Sequence, residues 1–88
     1  MRIRVIRTGG FAGIERRAEV DTSKLPDAPD WHALAEAALT GGHEKRPPGV
    51  PDGFAYEITV DDRTVHCTDP GLTEAQRALV GRVLREGA

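Results

Sequence analysis

Apolar and polar side chains alternate from the first residues of the chain. In RIRVIR, Ile3 and Val5 fall on one face while Arg2 and Arg4 take the other, the period-two signature of a half-buried strand. Ile6 breaks the pattern on the outer face. Beyond the stretch TGGFAG the alternation resumes. Ile14, Ala18 and Val20 lie on one side, and Glu15, Arg17 and Glu19 on the other. Arg16 sits on the apolar parity, which places it near the edge of a sheet. Two such runs around a glycine loop predict an antiparallel hairpin.

The period then changes. TSKLPDAP is turn-rich and ends the second strand. In DWHALAEAALTGG, Trp31, Leu34, Ala35, Ala38 and Leu39 recur at helical spacing and form one stripe. Asp30 can cap this helix, or Pro29 can open its first turn, and Gly41 and Gly42 stop it. Trp31, at the head of the stripe, is expected against the sheet near Tyr56 or Phe54. GGHEKRPPGVPDG holds three prolines and four glycines without periodicity and reads as a loop. FAYEITV is the clearest strand, with Phe54, Tyr56, Ile58 and Val60 on one face. After the turn DDR, TVHCTD returns with Val65 and Cys67 inward and His66 outward. Thr73 with Gln76 three residues on forms a capping box, and Leu79, Val80, Val83 and Leu84 give a second helical stripe. Gly81 weakens that helix by up to ~1 kcal/mol relative to alanine. The order β-β-α-β-β-α predicts an α+β fold, a four-stranded antiparallel sheet with two helices packed on one face.

At 88 residues, a single domain over residues 1–88 with one modest core is expected. The net charge of −2 leaves no electrostatic case for nucleic acid, although Arg2, Arg4, Arg7, Arg16 and Arg17 gather near the amino end. One cysteine, Cys67, excludes an internal disulfide. No apolar run approaches the ~20 residues of a membrane span, and MRIRVIRTGG lacks a signal peptide's apolar stretch. A cytoplasmic protein is expected. An exposed edge strand could pair two chains, and the sequence leaves the oligomeric state open.

Candidate chemistry is sparse. GGFAG joins strand to strand, whereas a phosphate loop joins a strand to a helix that supplies N–H groups. HEKRP, His43 to Pro47, has half of the zinc-peptidase pattern, but Pro47 stands where the second histidine belongs. His32 and Glu36 share a helix face, and a plain exposed pair explains them. His66 and Cys67 are strand neighbours and point to opposite faces, so they cannot chelate together. Cys67 reads as a small buried apolar residue. Ser23 beside Lys24 lies in a turn with no supporting context. No catalytic group, resident cofactor or metal set emerges, and the residues read as a binding module.

The runs IRVIRTGGFAGIERRAEVDT and PDGFAYEITV resemble the emfourin family, small bacterial inhibitors of protealysin-like, thermolysin-type zinc metallopeptidases. The shared features are Arg7, the glycine loop Gly9 to Gly13, Ile14 with Arg16, the strand Pro51 to Tyr56 and the closing helix Leu79 to Leu84. The resemblance implies a small α+β inhibitor that is not an enzyme and needs no cofactor of its own. Its partner would be a thermolysin-like zinc metallopeptidase. The implied site is the hairpin loop: Gly9, Gly10, Phe11, Ala12, Gly13, Ile14 and Glu15. Such peptidases prefer a bulky apolar residue after the scissile bond, so Phe11 and Ile14 become candidate anchors. Glycines would let backbone approach the cleft, and the partner's zinc would be reached by a carbonyl or by Glu15.

Two readings of Phe11 stand open, an anchor offered to a partner or a lid folded back on the core. A different function class also remains. A small interaction domain would dock through its sheet face or edge, without inhibition, and would then rely on Ile6 and the outward arginines.

Overall fold

The computed structural model describes residues 1–9, 15–42, 54–68 and 71–87. Four strands form one sheet: β1 (Arg2–Gly9), β2 (Arg16–Asp21), β3 (Phe54–Val60) and β4 (Arg63–Thr68). Their order is β2-β1-β3-β4, with every neighbouring pair antiparallel. Helices α1 (Ala28–Thr40) and α2 (Glu74–Glu86) follow the two hairpins. The α+β arrangement read from the pattern is the one observed.

Alternation explains the layering. Ile3, Val5, Ala18, Val20, Tyr56, Ile58, Val60 and Cys67 are buried on one face of the sheet. Register places Val5 between Ala18 and Ile58, and Ile3 between Val20 and Val60. Trp31, Ala35, Ala38 and Leu39 of α1 and Leu79, Val80, Val83 and Leu84 of α2 complete the core. The opposite face carries Arg4, Arg17 and Glu19 in solvent, with Ile6 half-buried between Arg17 and Glu57. Among the described residues no helix is long and apolar enough to cross a membrane.

Three of the four helix ends are met by side chains. Thr73 and Gln76 form the reciprocal capping box read from the sequence. Gln76 does more than cap. Fully buried, its amide nitrogen donates to the Ala38 carbonyl at 3.1 Å, one of the last carbonyls of α1 that lack a partner within the helix. Gly42 seats the end of α1 against β4. A Cβ there would stand 2.4 Å from the Cβ of Val65, closer than two carbons can approach.

The start of α1 differs from one of the two readings. The helix begins at Ala28, with Asp27 in the cap position and Pro29 within the first turn. Asp30 therefore lies inside the helix and is not its cap. The Asp27 carboxylate does not bond the helix backbone. It accepts from Arg82 of α2, whose guanidinium also lies 4.2 Å from the ring centroid of Trp31 and bonds Glu86 at 3.1 Å. Trp31 is 1% exposed, as a core residue should be. Its neighbours are not those expected, because it lies beside Val20 and Leu25 beneath Arg82. Phe54 and Tyr56 stand at the other end of β3 from Val60, which pairs through Ile3 to Val20. Periodicity put Trp31 on the buried stripe, but the crossing of the helix over the sheet decided which end it reaches.

A short 3-10 turn, Thr22–Lys24, joins β2 to α1. The Asp21 carboxylate accepts from the Ser23 amide at 3.0 Å, which holds its pKa below the usual value. Buried Thr22 donates its hydroxyl to the Met1 carbonyl at 3.1 Å and contacts His32 Nε2 at 3.0 Å.

Two outcomes follow from this packing. Trp31 fluorescence should be blue-shifted in the native protein, and Trp31→Ala should cost ~3–5 kcal/mol in urea unfolding. An emission maximum typical of water-exposed indole would contradict the burial. Gly81 is exposed in α2, and a Cβ there meets nothing within 4 Å. Gly81→Ala should therefore stabilise the protein by roughly 1 kcal/mol, read as a higher Tm.

Candidate functional site

The glycine stretch springs from one end of the sheet. β1 ends at Gly9, whose φ of 99° lies in the left-handed region that disfavours any residue with a Cβ. Its partner across the ladder is Phe54, the first residue of β3. β2 begins at Arg16, opposite Arg7, with Glu15 just before it. Glu15 is exposed, and its carboxylate pairs with Arg17 at 3.0 Å. Of the expected site residues, Gly9 and Glu15 are thus brought to the same end of the sheet. Gly10, Phe11, Ala12, Gly13 and Ile14 lie outside the described residues.

Three side chains frame the base of this stretch. Arg7 and Arg16 are cross-strand partners on the helix-facing side, where two like charges would repel. They diverge. Arg16, on the edge strand as its parity predicts, reaches the carbonyl of Leu84 at 2.8 Å. That carbonyl is in the last turn of α2, where a cation complements the helix dipole. Arg7 turns the other way and lies over the Phe54 ring, 4.7 Å from its centroid. Phe54 packs on the core and tilts against Tyr56 at 6.5 Å between centroids. The expected site omitted Arg7, Arg16 and Phe54. Their signal was present, since two cations and an aromatic ring continue the buried parity to the end of the sheet.

The remaining candidates separate. His32 bonds Thr22, and Glu36 pairs with Arg63 at 3.4 Å, so each faces a different element. His66 stands on the outer face opposite Glu57, away from Cys67. Among the described residues no group of three metal-ligating side chains converges. His43 to Pro47 lies outside the described residues. Ser23 is exposed and spends its amide on Asp21. Cys67 is a free buried thiol, and desolvation raises its pKa to about 11, which makes it a poor nucleophile at neutral pH.

A family model, Emfourin, matches residues 5–84. The chain belongs to the emfourin family. Membership implies a metallopeptidase inhibitor, with a metallopeptidase as partner, and argues against an enzyme. No curated protein and no solved structure shows a match. The matched span holds the whole sheet end described above, from Arg7 and Gly9 to Phe54 and Leu84.

The contact between Arg16 and the end of α2 is open to a direct check. Arg16→Ala should destabilise the fold by about 0.5–1.5 kcal/mol in urea unfolding, the usual worth of one such hydrogen bond. No change would mean that water serves the Leu84 carbonyl equally well.

Proposed function

We propose that this protein inhibits thermolysin-like zinc metallopeptidases by presenting the Gly9–Glu15 hairpin loop to the active-site cleft. The family match over residues 5–84 carries the reading. The position of the loop supports it, because its two stems belong to adjacent strands of the sheet that bears the core. A loop on such a rigid base loses less entropy on binding. Phe11 and Ile14 supply the apolar side chains for the pocket beside the partner's zinc, and glycine permits close approach of the backbone. The zinc belongs to the peptidase, and this chain brings no metal of its own. The 88 residues act as one inhibitor domain, and the cytoplasm, where a lone thiol stays reduced, is its compartment.

The test is a titration of a purified protealysin-like peptidase with the protein. Residual activity should fall in a saturable way. Activity that stays flat to tens of micromolar, where even a weak specific complex should show, would end the proposal. Phe11→Ala then asks what the ring does. As an anchor, its loss should weaken inhibition roughly 30-fold or more at a temperature where circular dichroism shows the variant folded. Undiminished inhibition there removes Phe11 from the site. A lowered Tm with inhibition falling only in step with folded protein makes it a core lid.

A further inference from the structure

Arg7 occupies a costly position. It continues the buried parity of Ile3 and Val5 on a central strand, where both of those side chains are 0% exposed. Its Nε is shut off from solvent and has no hydrogen-bond partner among the described residues. Shielding such a donor carries a desolvation cost that an aliphatic side chain would avoid. What Arg7 gains is the face of Phe54, well inside the ~6 Å range of a cation–π contact.

The ring is itself held in place. Phe54 rests on the core and against Tyr56, and its backbone faces Gly9 across the ladder. Gly9 is the last residue of β1, and its φ lies in the left-handed region. Glycine fixes no direction by itself, because it enters many conformations at little cost. Two residues earlier the Arg7 guanidinium stacks on the ring of Phe54, the residue opposite Gly9, and so ties the end of β1 to β3. Arg16 cannot compete for the ring, since it is tied to Leu84 on the far side.

We infer that the Arg7–Phe54 stack is a positioning device for inhibition: it sets the direction in which the chain departs at Gly9. Arg7 acts through that backbone and does not bind the peptidase by its charge. The inference rests on the inhibitory reading of the loop. It has a specific chemical requirement, a planar cation over an aromatic face, and lysine does not reproduce the stacking of arginine.

The experiment uses the full chain and a protealysin-like peptidase, at a temperature where circular dichroism shows every variant folded. Arg7→Lys keeps the charge, Phe54→Leu keeps the apolar packing, and Phe54→Trp keeps an aromatic face. The expected result is inhibition weakened roughly 3- to 10-fold by Arg7→Lys and by Phe54→Leu. The double variant should be no worse than the poorer single, because both remove one contact. Phe54→Trp should inhibit like the unaltered chain, and added salt should affect all of them equally. Full inhibition by Arg7→Lys would overturn the inference in favour of docking by charge. Effects that multiply in the double variant, or loss of inhibition in Phe54→Trp, would also overturn it. If the unaltered chain fails to inhibit, the parent reading falls and takes this one with it. If it inhibits and Arg7→Lys matches it, only this one falls.

Discussion

Two helices of 13 residues must cover the apolar face of four strands. That shortage of cover governs the rest of the molecule. Where the helices reach, burial is complete, as at Ile3, Val5, Ile58 and Leu79. At the end of the sheet that holds Gly9 the same face continues as Arg7 and Phe54, both half-buried. A cation over a ring suits such a margin, since one component tolerates water and the other tolerates the core. Short helices also bring their polar ends close to the interior. The carboxyl ends are closed by side chains from other elements, Gln76 on Ala38 and Arg16 on Leu84, and Arg82 ties α2 to Asp27 at the start of α1. The bonds that terminate the helices thereby fix their placement on each other and on the sheet.

This arrangement separates support from presentation. The stems of the glycine stretch are adjacent strands in ladder register, one of them central, and Arg16 ties the other to α2. A partner that engages the stretch meets a base already ordered, and ordering cost is what most often separates buried area from affinity. The outer sheet face offers less. Ile6 is its main apolar feature and is flanked by Arg17 and Glu57. Family membership gives the inhibitory role, over a match that spans nearly the whole chain.

Much of this was legible in the residues because alternation and helical spacing report faces. Ile3, Val5, Tyr56 and Ile58 were assigned to the core from parity alone, and Thr73 with Gln76 declared the start of α2. Neighbours across space were not legible. Trp31 was assigned to a buried stripe, but nothing in the spacing of α1 says which end of the sheet the stripe crosses. Asp30 as cap and Pro29 in the first turn were both plausible readings of the helix start, and Asp27 holds the cap position. The partner of Asp27, Arg82, lies 55 positions away in sequence. Arg7 and Arg16 showed only as polar residues at apolar positions. Their roles depend on a helix carbonyl and a ring contributed by distant segments. The family resemblance supplied the function because an inhibitor's chemistry lies in shape and backbone, which no constellation of catalytic residues announces.

The strand order has a kinetic meaning. Each hairpin forms from near neighbours, but the centre of the sheet joins β1 to β3, with Ile3 opposite Val60. Until those two edges meet, neither hairpin has a covered inner side, and neither helix end has its distant partner. Docking the two ββα halves closes a long connection, whose entropy is lost before most of the contacts return it. That cost grows only as the logarithm of the connection's length. Lengthening the segment between α1 and β3 would therefore cost the fold little, whereas a slip of the edges it brings together would turn every inward side chain outward.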